Sequence, residues 1–242
     1  MANFIQTFAS TYLKAISLYG RTYFTVLPFI LALMICRFLL HKTVPMTPAI
    51  DMLFFVRLIV DVALTSFFFS FMVIIIYNKF NQQAIAYKVA IKKGLQRCVP
   101  VFLAYFMISV PLLLTFLFLK LTHAENVQAV SKLMVYVDVT LLLVMLIVTI
   151  IISTYCFVTG VLIANQSASA VGGIVQSYRL VANHWLETFL VLLVIGIISV
   201  GLSLIFHKLH LHVVPEIMTL LLSSFYPSLM VAQYDNLAAS KA

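Results

Sequence analysis

Six uninterrupted apolar runs limit what this 242-residue chain can fold into. They cover residues 22–41, 52–77, 99–120, 133–163, 186–206 and 213–234. An α-helix rises about 1.5 Å per residue, so a hydrocarbon core of about 30 Å takes about 20 residues, and each run is long enough. Inside a bilayer every backbone amide needs an internal partner, and these runs are continuous rather than alternating, so helices are the expected solution. The fourth run exceeds one crossing and must tilt, kink or continue past the membrane. Composition agrees, with 64% of residues hydrophobic and 9% charged, against about 45–50% and about 25% in soluble domains. The expected fold is all-α, a polytopic integral membrane protein of one domain, residues 1–242. An ordinary soluble domain, a disordered chain and a disulfide scaffold are excluded.

The cysteines Cys36, Cys98 and Cys156 lie in or beside apolar runs without CxxC spacing, and read as small buried hydrophobes. A net charge of +8 would suggest nucleic acid in a soluble chain. Here the bases flank apolar runs, so the expected partners are the bilayer and its anionic phospholipid headgroups. Residues 1–21 lack a continuous apolar core and the first base is Lys14, which is not the pattern of a cleavable signal peptide.

The connections alternate. His41–Asp51, Leu121–Lys132 and His207–His212 are short, while Asn78–Cys98 and Ala164–Trp185 are longer, helical and amphipathic in pattern. Residues 3–20 share that pattern, with Phe4, Ile5, Phe8, Tyr12, Ile16 and Tyr19 on one face, and Gly20 is the expected stop. The side holding the N-terminus carries nine bases (Lys14, Arg21, Lys79, Lys88, Lys92, Lys93, Arg97, Arg179 and Lys241) against six opposite. The positive-inside rule then puts both termini in the cytoplasm.

The chain also reads as three helical-hairpin repeats, 1–83, 84–169 and 170–242. Each has an amphipathic interfacial helix, a span, a short outer turn and a second span. The second spans end in amide-rich sequence: Tyr77-Asn78, Asn165-Gln166 and Gln233-Tyr234-Asp235-Asn236. Stacking hairpins around an axis covers polar groups that one hairpin leaves open. Gly160, Ala164 and Ala168 on one rung, and Gly196 with Gly201 on another, are candidate close-approach points. Pro100 suits a helix start, and Pro111 and Pro227 should kink the third and sixth spans.

In the third unit, Ser177-Tyr178-Arg179-Leu180-Val181-Ala182-Asn183-His184-Trp185 leads into the apolar run from Leu186. This segment resembles the YciC-like family of bacterial inner-membrane proteins, in which an S-x-R-L segment precedes a polar or aromatic step into the fifth span. Length, six spans and recurring interfacial helices are similar across nearly the whole chain. Related membrane domains occur beside some glycerophosphodiesterases. The family often has a Pro-Gly break early in the fourth span. This chain has Val148-Thr149 there, which implies a straighter fourth helix. The resemblance implies a non-enzymatic envelope protein of the bacterial inner membrane, acting through lipid contacts or as an accessory to another membrane protein, with no catalytic residues and no cofactor.

Three sets of residues are candidates for chemistry. His41, His123 and His207 hold similar places in the three units, with His210 and His212 beside the last. Three imidazoles with an open fourth position are a zinc arrangement, and a metal-dependent membrane enzyme would need one. Histidine is equally at home at an interface with no metal. Arg57 and Asp61 stand at i, i+4 on the second span and can pair. Asp138, near the start of the fourth run, is a second ionisable group at membrane depth. These aspartates are either interhelical locks or part of the polar path of a small transporter or channel. Lys88, Lys92, Lys93 and Arg97, with Arg179 and Trp185, are the expected contacts to lipid headgroups. No Gly-rich phosphate loop, HExxH or GxSxG is present.

Overall fold

The computed structural model describes residues 2–43, 52–83, 85–124, 132–166, 168–208 and 214–240, with backbone alone at 2–5, 112, 116, 118–124, 132–138, 166, 203, 205–208 and 214–224. Among them the chain is all-α. Its helices are α1 (Ala2–Thr43), α2 (Met52–Phe80), α3 (Tyr87–Ala124), α4 (Lys132–Tyr155), α5 (Thr159–Gln166), α6 (Ala170–Val181), α7 (Trp185–Lys208) and α8 (Val214–Ala239). A single 3-10 turn, Ala182–His184, joins α6 to α7. Five helical stretches among the described residues are long and apolar enough to cross a membrane: Gln6–Thr43, Met52–Phe80, Tyr87–Pro111, Val139–Asn165 and Ala170–Leu202.

Three boundaries differ from those expected. α1 runs unbroken through Gly20, so the segment expected to lie along the interface and the first span are one 42-residue helix. α3 likewise absorbs most of the connector before it, which leaves Pro100 inside the helix rather than at its start. A break near hydrocarbon strands backbone amides without water, so continuing the helix past a weak breaker costs less than stopping. The fourth run breaks where no proline or glycine marks it. α4 ends at Tyr155, Cys156–Val158 form a turn, and α5 restarts at Thr159. The turn is tightened by Phe157 N to Thr154 O (3.3 Å) and Thr159 N to Cys156 O (3.1 Å). Tertiary packing explains it: Phe157 is fully buried and its ring meets Tyr226 edge-on at 5.6 Å. α4 itself runs unbroken through Val148-Thr149, where the family often has its Pro-Gly break, and the interruption comes later.

Ser169 starts α6 by local chemistry. Its Oγ accepts from Gly172 N (3.1 Å), filling one of the orphan donors of the first turn. The long helices are not amphipathic in the soluble sense, and their buried residues instead gather at one end of the bundle. In α2, Ser66 and Phe68–Ile76 are buried while Met52, Leu53 and Val56 are exposed. α5 and the second half of α8 complete this core, with Leu162, Ile163, Leu229 and Met230 fully enclosed. α1 packs along α2 and α8, and α2 along α3. The apolar faces of α4 (Val139, Leu143, Ile147) and α7 (Ile197, Val200, Leu204) stay exposed, as lipid-facing residues do.

Close approach rests on three glycines. A Cβ on Gly94 would lie 1.9 Å from the Phe71 ring, one on Gly160 2.7 Å from Phe69 and from Tyr105 Oη, and one on Gly173 2.5 Å from Ile163. Gly196 and Gly201, expected to do the same, have nothing within 4 Å. Gly94→Ala should therefore destabilise the fold by about 1–3 kcal/mol through overpacking. Gly196→Ala should stabilise it by about 0.5–1 kcal/mol through helix propensity. Unfolding of both variants in one detergent checks this, and equal effects would refute the α2–α3 contact.

Candidate functional site: an ion pair beside an apolar cavity

α1 and α2 form an antiparallel pair, which brings Arg37 near the end of α1 beside Asp61 in the first half of α2. Arg37 Nε donates to Asp61 Oδ1 (2.8 Å) and Nη2 to Asp61 Oδ2 (3.1 Å), a two-pronged guanidinium–carboxylate contact. Nη2 also donates to Thr65 Oγ1 (2.8 Å), whose own hydrogen goes back to Asp61 O (2.7 Å). Thr65 thus braces the pair from one turn further along α2.

This corrects the expected i, i+4 partner. Asp61 is held across helices by Arg37, while Arg57 Nη2 lies 2.9 Å from His41 Nδ1. An arginine N-terminal to an aspartate is the poorer order for a pair along one helix. A guanidinium arriving from a facing helix can instead lay its flat edge on both carboxylate oxygens.

The pair borders a cavity of about 510 Å³ between α1, α2, α3 and α8. Leu33, Val62, Phe69 and Met72 make most of its wall, and Thr65, Ser66, Ser109, Tyr105 and Tyr226 contribute hydroxyl groups. Asp61 and Met72 are eleven residues apart on α2, so the cavity extends about 16 Å along that helix. Tyr105 fixes the α3 wall, its ring edge-on to Phe69 at 5.5 Å. The arrangement offers an apolar volume with a neutral but strongly dipolar cap. Both carboxylate oxygens of Asp61 are engaged by Arg37.

The other candidates fall in several places. Asp138 lies on α4, with its side chain outside the described residues, as are those of His123 on α3 and His207 on α7. His210 and His212 lie outside the described residues altogether. Among the described residues no three metal-ligating side chains cluster. Lys88, Lys92 and Lys93 are exposed on the first turns of α3, with Arg97 half-buried beyond them, and Arg179 is exposed near the end of α6.

Trp185, expected at the headgroups, is half-buried against other rings. Its ring stacks on Phe189 (5.1 Å, 4° between planes) and sits 6.3 Å from Tyr155. Its Nε1 is buried with no acceptor among the described residues.

Sequence reasoning missed a second polar feature at the N-terminal end of the bundle. Asn236 Nδ2 donates to Thr11 Oγ1 (2.7 Å), which donates to Gln233 Oε1 (3.2 Å). Gln233 Nε2 donates to Thr188 Oγ1 (3.0 Å), which donates to His184 O (3.1 Å). This relay ties α1, α7 and α8 together. Lys14 Nζ adds bonds to Asp235 Oδ2 (2.8 Å) and Asn236 Oδ1 (2.6 Å). The amide-rich end of the sixth run was the available signal.

A double-mutant cycle with Arg37→Gln and Asp61→Asn should show a coupling of about 1–3 kcal/mol in unfolding free energy. Strict additivity would mean that the two charges do not sense each other.

Compared with family models, curated proteins and solved structures, the chain matches none.

Proposed function

We propose that this chain is a non-enzymatic protein of the bacterial inner membrane that works through contacts with lipid and holds one amphiphile in the α1–α2–α3–α8 cavity. The observation that carries the reading is the cavity itself: mostly apolar, with the Arg37–Asp61 pair at its border. A volume of about 510 Å³ falls within the range of small-molecule sites. Apolar walls suit an acyl chain. The two-signed cap suits a headgroup, with the guanidinium's remaining donors free to meet a phosphate oxygen.

In this reading α8 is the sixth span, the three hairpins are repeats of one unit, and both termini face the cytoplasm. The bias of bases toward the N-terminal side supports that orientation. The Ser177–Trp185 segment supports membership of the YciC-like family and an envelope-maintenance role, alone or beside another membrane protein.

The second reading, a small transporter or channel, draws on the hydroxyl groups along the cavity and on Asp61 and Asp138. The two readings separate on one variant. Asp61→Asn should abolish flux in a transporter with stability intact, whereas in a lipid-holding protein it lowers stability and lipid retention together.

Native mass spectrometry of the chain released from mild detergent should show a retained phospholipid whose binding depends on the cavity. Ser109→Trp, which puts an indole into the cavity, should remove it by about tenfold or more, the scale of losing about 1.4 kcal/mol of contact. Val62→Phe serves as a second filling variant. Unchanged retention in both well-folded variants would rule the cavity out as the lipid site.

A further inference from the structure

The structure holds a second concave site, away from the cavity, on the N-terminal side of the bundle. A groove of about 350 Å³ opens between α1 and the last turn of α2. Lys14, Ser17 and Arg21 line it from α1, and Lys79 and Phe80 from α2. Lys14 and Arg21 are seven residues apart, so they lie within about 20° of one face and about 10 Å along the axis, with Ser17 between them. Lys79 comes from the facing helix and closes a triangle of three cations around that hydroxyl.

The charges are not spent on each other's counterions. Lys14 uses two of its three donors on Asp235 and Asn236, which fixes its ammonium and leaves one donor. Arg21 and Lys79 are exposed and have no carboxylate partner among the described residues. Three cations against one neighbouring carboxylate leave the groove strongly positive. Its remaining wall is apolar, from Phe80 and two leucines of α1. Cations and a hydroxyl over an apolar floor match a phosphate that carries glycerol and acyl chains, better than a free ion.

We propose that the Lys14–Arg21–Lys79 groove binds the headgroup of an anionic phospholipid, with the phosphate between Arg21 and Lys79 and the lipid backbone against Phe80. The site does not depend on the cavity reading, since a variant that fills the cavity leaves these residues untouched.

The test adds phosphatidylglycerol or phosphatidylcholine to the full chain in mild detergent and follows retained lipid by native mass spectrometry. The parent chain should prefer phosphatidylglycerol. Arg21→Gln with Lys79→Gln should weaken its retention by about 30-fold, about fivefold per cation, while Lys42→Gln, which removes one exposed cation at the far end of α1, should change it by less than about twofold. Arg21→Lys with Lys79→Arg keeps the charge and should keep the lipid, which separates loss of the site from loss of the fold. An equal loss per cation from Lys42→Gln would show a diffuse electrostatic field and overturn the proposal. So would no preference over phosphatidylcholine, or failure of the charge-conserving pair to bind. Displacement of the lipid by millimolar inorganic phosphate would overturn the lipid assignment. Loss of every retained phosphatidylglycerol in Ser109→Trp, with Arg21→Gln plus Lys79→Gln leaving retention unchanged, would place the lipid in the cavity alone and overturn the proposal.

Discussion

Lipid tails are as apolar as leucine, so helices in a bilayer gain little by hiding apolar area from one another. What holds them together is close contact and polar bonds that lipid cannot replace. In this chain both devices gather at one end. Gly94, Gly160 and Gly173 let α3, α5 and α6 approach their neighbours where any larger residue would collide. The Asn236–Thr11–Gln233–Thr188 relay joins the first helix to the last two, with Thr11, Gln233 and Thr188 almost wholly enclosed. Each such bond is worth about 0.6–2 kcal/mol in membranes, so the relay matters as a set. The exposed apolar faces of α4 and α7 lie away from these contacts, and the cavity forms where the packing of α1, α2, α3 and α8 gives way.

The Arg37–Asp61 pair answers a different demand. A lone charge at membrane depth is costly, and a paired one is far less so when its hydrogen-bonding capacity is also used. Two-pronged geometry and the Thr65 brace do this for Asp61. The result is a cap that is electrically neutral as a whole and strongly dipolar at close range.

The helices were legible because hydrocarbon thickness sets a length that apolar runs either meet or miss. Their ends were less so. Gly20 and Pro100 are breakers whose strength depends on water being ready to take the freed amides, and the helix continues through both. The turn at Cys156–Val158 has no local signal, because burial of Phe157 causes it. Asp61 was legible as a candidate from its type and depth, but its partner is 24 positions away, and the rule for neighbours along one helix pointed to Arg57. Gln233 was harder still, with partners 222 and 45 residues distant. Trp185 is legible as an aromatic at a span's start, but its packing on Phe189 and Tyr155 depends on the fold.

The pairing of Arg37 with Asp61 also bears on how the chain enters the membrane. Taken singly, each helix would carry an uncompensated charge toward hydrocarbon, at a cost that rises to about 2.5–3.5 kcal/mol for an arginine or aspartate at a helix centre. The two residues lie on successive helices whose antiparallel packing sets them side by side. If α1 and α2 partition together, the charges cancel before either is stripped of water. For this part of the chain the natural unit of insertion is then the hairpin rather than the single helix.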